Sequence, residues 1–304
     1  MSVEPVGCPV VAHRPSVDVA IVTYNAAGDL PACVAALRAQ GDAVGRVLVI
    51  DNASADGTAT VAAGLDGVDV VVNPTNVGYA PAMNQAHAAA TAPYLLSLNA
   101  DAVLQPGYVD ALVAALDASP RVGAATGLLV RPGGTVDSTG IELTRAYTAR
   151  ERDGGASPDA VVAGSAPFGV SGAAALWRRA MLDDLGPDPW WDWVFVYWDD
   201  VELCWRARAH GWEFAYVPSA RAVHRRGVAT GEPTFTESQS LRNRLGTVAR
   251  HRGWPGLLAP ASLAHTAFTV TRLAVRHPAA LRRAHPAQAV RTGLAARRAD
   301  RAPQ

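Results

Sequence analysis

From Val17 onward the chain alternates short β-branched runs with alanine-rich stretches of helical period. That alternation predicts an α/β fold with a mostly parallel central sheet covered by helices on both faces. Strands are expected over 17–23, 46–50, 68–72, 94–98 and 122–129, and helices over 30–39, 58–63, 80–90 and 107–118. A polar cluster follows each strand. Ligands of open α/β sheets collect at the carboxyl ends of strands, so these clusters are where chemistry is sought.

Past residue 150 the pattern changes. Residues 150–157 (RERDGGAS) read as a polar surface loop. Small residues fill 168–176, aromatics and acids crowd 190–198, and 199–210 reads as a helix. Beyond His224 the strand pattern stops and an arginine-rich, helix-prone segment follows, interrupted at Pro255, Pro260, Pro278 and Pro286. The organisation expected is a loose leader over 1–16, a catalytic domain over 17–230 and a basic helical extension over 231–304.

Composition sharpens this division. With 49% hydrophobic residues in 304, the chain buries a full core and is not disordered throughout. Formal charge is zero overall, yet from Arg242 on twelve arginines face the single acid Asp300, leaving 26 acids against 15 bases before it. The body is acidic and the tail seeks anionic surfaces; no nucleic-acid partner is expected. Cys8, Cys33 and Cys204 have neither a disulfide pattern nor zinc spacing, which fits a reducing, cytoplasmic compartment. No basic and apolar secretory signal opens the chain.

Four clusters carry candidate chemistry. Thr23-Tyr24-Asn25 and Asp51-Asn52-Ala53-Ser54 close adjacent strands; an aromatic face with a carboxylate there can stack on a pyrimidine and accept its ring N–H. Asp51 and Asp56 serve equally well as turn and cap residues. Asn99 and Asp101, one residue apart at a strand end, offer oxygens to a hard cation beside substrate phosphates, or simply form a turn. Asp199, Asp200 and Glu202 begin a helix; capping explains one acid but not three, and crowded carboxylates have raised pKa values that suit a general base. His224, with Arg225 and Arg226, supplies a metal ligand or phosphate contacts.

In order along the chain, VAIVTYN (19–25), VLVIDNASADGT (47–58), NPTNVGYAPAMNQ (73–85), LLSLNADAVLQPG (95–107), VSGAAALWRR (170–179) and VYWDDVELCWRARAHGW (196–212), followed by His224, resemble family 2 glycosyltransferases, in particular their bacterial rhamnosyltransferase-like branch. The resemblance implies a GT-A fold. It implies that Thr23, Tyr24, Asn25, Asp51, Asn52 and Ser54 hold the nucleotide, with Asn76, Gly78, Tyr79, Asn84 and Asn99 also on the donor side. Asp101 takes the second place of the family's D-x-D motif, where Asn99 replaces the first acid, so a Mg²⁺ or Mn²⁺ ion would rest on Asp101, His224 and the donor diphosphate. Gly172, Trp198 and Asp199 line the acceptor side, and Asp200 is the base of an inverting, single-displacement transfer. A sugar nucleotidyltransferase and a non-catalytic sugar-nucleotide-binding protein are the alternatives. The first lacks its phosphate loop after β-strand one, and the second should have lost Asp101 or Asp200.

The resemblance implies a nucleotide diphosphate sugar as donor, tilting toward rhamnose, a glycan or lipid-linked acceptor, and a role in cell wall or polysaccharide synthesis. Residues 257–275 are largely apolar, but Pro260, His265 and Arg272 argue against a span of about 20 apolar residues. His265, Thr269, Arg272 and Arg276 share a helical stripe, with Leu263, Phe268, Val270 and Leu273 elsewhere. A basic amphipathic helix on the inner membrane face and a helix packed on the catalytic domain both fit.

Overall fold

The computed structural model of the protein describes residues 17–162, 164–226 and 233–301. The leader expected over 1–16 and the boundary expected at 230/231 lie outside the described residues. Within them the chain runs β1 (Val17–Thr23), α1 (Leu30–Arg38), β2 (Val44–Asp51), α2 (Thr58–Ala63), β3 (Val68–Val72), α3 (Tyr79–Ala89), β4 (Tyr94–Leu98), β5 (Ala102–Leu104), α4 (Tyr108–Asp117) and β6 (Val122–Val130). It continues through β7 (Val136–Ser138), β8 (Ile141–Leu143), β9 (Ala149–Glu151), β10 (Ala174–Arg178), α5 (Arg179–Asp184), α6 (Asp199–Ala209) and β11 (Glu213–His224). It closes in α7 (Pro233–Leu258), α8 (Pro260–Arg276), α9 (Pro278–Ala284) and α10 (Pro286–Ala299).

The central sheet has the order β3-β2-β1-β4-β10-β6-β11-β5, with β7 added to β6 and β8-β9 forming a separate hairpin. Its first half is parallel, as the strand–helix alternation predicts. Direction reverses at β10, which runs antiparallel to both neighbours, and β11 returns parallel to β6. Sequence patterning places no strand at β10 or β11. In β10, AALWR is buried along almost its whole length, so no alternation marks it. In β11, Pro218 cannot donate to a ladder, and the register shifts between Val217 and Arg221 to pass it.

Alternation along β1 divides the core. Val17, Val19 and Ile21 face a cluster with Leu30, Val34 and Leu37 of α1 and Leu112 and Leu116 of α4. Ala20 and Val22 face the opposite cluster, with Met83 of α3 and Leu203 of α6. The period-3.6 stripes of α1 and α4 therefore cover one face and those of α3 and α6 the other. A third cluster, including Leu241, Leu245, Val248 and Leu273, joins the C-terminal helices.

The tail is fastened to the body through charge. Glu202 of α6, completely buried, accepts from Arg206 at 2.9 Å and from Arg250 of α7 at 2.9 Å, with His251 at 3.3 Å. Arg250 also pairs with Asp300 at 2.9 Å. The aromatics predicted to wall in the acids do other work. Trp190 packs edge-on against Trp177 in the core, while Trp191 and Trp193 lie under the guanidinium groups of Arg250 and Arg242.

Burial alone would raise the Glu202 pKa, but Arg206, His251 and Arg250 hold it well below its ordinary 4.5. A depressed folded-state pKa contributes stability that is present above 4.5 and lost as pH falls below it. Glu202→Ala strands two buried cations and is expected to cost about 3–5 kcal/mol in urea unfolding at neutral pH. Glu202→Gln should flatten the loss of stability that the wild-type protein shows below pH 4.5.

Candidate active site

The parallel register sets Thr23 opposite Asp51, joining the first two polar clusters. Thr23 Oγ1 donates to Asp51 Oδ1 at 3.0 Å, Ser54 N donates to Asp51 Oδ2 at 2.9 Å, and the Asn25 amide donates to Ser54 Oγ at 2.8 Å. Ala55 N returns a bond to Asn25 Oδ1 at 2.8 Å. Asp51 and Ser54, expected on the nucleotide, thus use these groups to tie the two loops together. Asp56 does the turn work that was its simpler reading, accepting from the Thr58 and Ala27 amides at 3.0 Å.

A cavity of about 590 Å³ opens in front of these loops, lined by Thr23, Tyr24, Asn25, Asn52, Asn76, Gly78, Tyr79, Asn99 and Asp101. Tyr24 is 51% exposed, leaving a ring face open for stacking. The far wall is Phe195, Val196, Tyr197 and Phe235, which sequence reasoning did not identify. Gly78 is fixed here by necessity: its φ is +97°, and a Cβ would sit 2.6 Å from both the ring and the carbonyl oxygen of Phe195. The Tyr79 amide bonds that same carbonyl at 2.6 Å. Asn84, also expected on the donor, lies away from this cavity. Its amide nitrogen donates to Trp190 O at 2.7 Å and Asp192 Oδ1 at 2.6 Å, holding the tryptophan segment in place.

A second cavity of about 410 Å³ shares Tyr79, Asn99, Asp101, Val196 and Tyr197 with the first, and adds Gly172, Trp198, Asp199, Asp200, Glu151, His224 and Arg226. Asp200 is held from two sides, accepting the Gly172 amide at 3.1 Å and the Val201 amide at 2.8 Å. Tyr197 and Trp198 both take positive φ, 63° and 70°, to turn the chain into α6. That strain is held by Asn243 of α7, whose Nδ2 donates to the carbonyls of Val196 and Tyr197 at 2.8 Å each. Burial and the neighbouring Asp199 push the Asp200 pKa well up, with Glu151 adding to the effect. Burial likewise raises Asp199.

His224 stands beside Asp101 and Asn99. Its Nε2 is 3.3 Å from Asp101 Oδ1 and 3.3 Å from Asn99 Nδ2, and its Nδ1 is 2.8 Å from Asp137 Oδ2. Desolvation works against the protonated ring, but hydrogen bonds to Asp101 and Asp137 push its pKa up to about 9. Asp137, completely buried, also accepts from Arg226 at 2.6 Å and Arg131 at 3.1 Å. Burial opposes its ionisation, yet these donors and His224 hold its pKa at about 2. Asp137 therefore orients the ring so that Nε2 faces Asp101. Arg226 also pairs with Glu151 and Arg225 with Asp29, so both expected phosphate-binding cations have carboxylate partners.

The Asp101 oxygen fits a divalent cation as part of a ligand set, and the His224 nitrogen joins it when the metal displaces the Nε2 proton. Among the described residues no group of three or more His, Cys, Asp and Glu side chains could hold a metal by itself. A site of this kind is completed by substrate phosphates, the usual habit of Mg²⁺.

The profile described as Glycosyl transferase family 2 matches residues 18–186. An N-acetylglucosaminyl-diphospho-decaprenol L-rhamnosyltransferase of Mycobacterium tuberculosis is 27% identical over 268 residues, 78% of this chain and 85% of that protein. A mannosyltransferase from Pyrobaculum calidifontis, solved with GDP-mannose and Mn²⁺, superposes with a TM-score of 0.55 at 21% identity over 94% of this chain and 76% of its own. S. aureus TarS residues 1–349, solved with UDP-GlcNAc, gives 0.56 at 16% identity over 90% and 81%. The two solved structures share the GT-A fold with this chain. The profile spans over half the chain, including the strand ends that build the first cavity and Asp101, and the chain belongs to glycosyltransferase family 2 as a rhamnosyltransferase-like enzyme.

Proposed function

We propose that the enzyme transfers rhamnose, with inversion, from a nucleotide diphosphate donor to a hydroxyl of a lipid-linked acceptor, with Asp200 as general base and Asp101 and His224 holding a divalent cation. The observation that carries this reading is the position of Asp101 on the wall common to both cavities. The larger cavity has an open aromatic face and the Asn76 side chain for a nucleotide, and the smaller has Asp200. The reacting carbon belongs where they meet.

In the transfer, Asp200 takes the proton of the acceptor hydroxyl as its oxygen bonds to the anomeric carbon, and the carbon–oxygen bond to the diphosphate breaks on the opposite side. One displacement from one face inverts the configuration. Asp200 is fixed by two backbone amides, so little reorganisation accompanies attack. Its raised pKa makes the carboxylate a stronger base. A bound divalent cation would neutralise charge on the departing diphosphate. Mn²⁺ beside GDP-mannose in the Pyrobaculum structure supports the metal, and the decaprenol-linked rhamnosyltransferase relative supports the sugar and the acceptor class. A lipid-linked acceptor fits an enzyme that works in the cytoplasm against the inner face of the cell membrane.

Calorimetry with dTDP-rhamnose, UDP-glucose, UDP-galactose and GDP-mannose, each with and without Mn²⁺, tests the donor site. The expected result is metal-dependent binding of dTDP-rhamnose that Asp101→Ala weakens about tenfold or more. Equal binding without metal, or preference for another donor, would overturn the corresponding part of the reading. Asp200→Asn is expected to lower kcat by about 10²–10⁴-fold while donor affinity is kept.

Activity should also fall as pH drops, because the base must be ionised, and the acid limb should lie above the ordinary carboxylate value of 3.8. Asp199→Asn removes the neighbouring negative charge that helps raise Asp200 and should move this limb to lower pH. A pH profile of kcat/KM unchanged by that substitution would separate Asp199 from the titration.

A further inference from the structure

The face that α8 presents to solvent is the wrong one for a helix in water. Leu263, Ala264, Ala267, Phe268, Ala274 and Val275 all point outward, and Thr271 carries the one polar group among the exposed positions from 260 to 275. At about 100° per residue these side chains cover an arc of about 140°. Among the described residues nine large hydrophobics are exposed, and five of them, Trp254, Leu258, Leu263, Phe268 and Val275, fall in this one stretch. Phe268 is 66% exposed and Val275 78%. The polar stripe of the helix, with His265, Thr269 and Arg272 half-buried, is turned toward the protein instead.

The cause is Arg244 of α7, a buried cation whose pKa burial lowers to about 10. It donates to Ser262 Oγ at 3.0 Å and Thr266 Oγ1 at 2.8 Å of α8, and to the carbonyls of Tyr147 and Ala146. A buried guanidinium requires oxygen partners, and α8 supplies them from its hydroxyl stripe. Arg272 on the same side pairs with Glu237 at 2.8 Å. With the polar side committed to the protein, the apolar side is left facing out. Gly253, at φ +63°, breaks α7 just before Trp254, and the turn that follows exposes Trp254 and Leu258 one helical turn apart.

We infer that this face seats the enzyme peripherally on an anionic lipid surface. Arginines bracket it: Arg252 precedes Trp254, and Arg276, Arg282 and Arg283 follow Val275, all exposed. Within 233–301 no free carboxylate offsets them, since its two acids, Glu237 and Asp300, are each in an ion pair with an arginine. An apolar strip carrying tryptophan and phenylalanine, edged by arginine, matches a bilayer interface with acidic headgroups. Two copies meeting through it would set arginine against arginine. None of the helices in the described residues is long and apolar enough to cross a membrane, so the contact is a surface one. The inference deepens the proposed use of a lipid-linked acceptor but is read from different residues.

The test is flotation of the full chain with vesicles of phosphatidylcholine alone and of phosphatidylcholine with equimolar phosphatidylglycerol, without donor or acceptor. Wild-type protein should float with the mixed vesicles and stay behind with the neutral ones, and added salt should release it. Phe268→Asp, and separately Arg282→Ser with Arg283→Ser, should each lower partitioning about tenfold. Protein that stays soluble with mixed vesicles at low salt would overturn the inference. So would a dimer, seen by light scattering, that Phe268→Asp dissolves, since a second copy would then be the occupant. Nucleotide-sugar binding by Phe268→Asp, expected unchanged, shows that the variant is folded and keeps failure of the surface distinct from failure of the catalytic reading.

Discussion

The contact on which the site depends is the buried ion cluster around Glu202. This residue lies two positions after Asp200 on the same helix, and its partners come from both α6 and the tail. A carboxylate so deep is tolerable only with charge and hydrogen bonds around it, which means that α6 reaches its place only when α7 docks. Asn243 adds a second tie, capturing the carbonyls of Val196 and Tyr197 just before the two left-handed residues that turn into α6. The tail therefore helps to build the cavities even though the sheet ends before it. Phe235 and Ser240 of α7 reach the cavities themselves.

The second organising feature is the division of labour among carboxylates. Asp101 and Asp137 hold the two nitrogens of His224, while Asp199 and Asp200 crowd each other at the start of α6. Three cationic or imidazole groups surround Asp137 and keep it ionised. Asp200 receives only two backbone amides against the repulsion of Asp199, so its proton is held more tightly. Opposite environments thus push chemically identical groups in opposite directions, one held ionised beside His224 and the other drawn toward its protonated form.

Much of this was legible in the chain, for a topological reason. Thr23, Tyr24, Asn25, Asn52, Asn76 and Asn99 sit at the ends of parallel strands or the turns after them, where position in the sequence predicts position on the cleft rim. Asp51, Ser54 and Asn84 occupy equally plausible places but spend their side chains on hydrogen bonds within the protein. A short polar side chain at a strand end braces a loop as readily as it meets a ligand, and spacing does not separate the two. Asp137 and Glu151 escaped notice because they lie on three-residue strands whose positions are set by pairing with distant segments. Phe195 and Phe235 come from either side of β11 and meet edge-on only in the folded chain. The Gly133-Gly134 turn between β6 and β7 is the one local signal that could have pointed to Asp137.

The orientation of α8 shows where such reading stops. Its sequence carries a polar stripe and an apolar stripe, and the usual assignment puts the polar one toward water. That rule presumes that the protein offers the helix an apolar seat. Here the seat contains Arg244, whose guanidinium has left water and has hydroxyls and carbonyls as its described partners. Solvating that cation offsets leaving Leu263, Phe268 and Val275 half-exposed or exposed, because an unpartnered buried charge costs several kcal/mol, about the burial gain of two large apolar side chains. The helix turns its hydroxyls inward, and the apolar strip outside follows from a charge within.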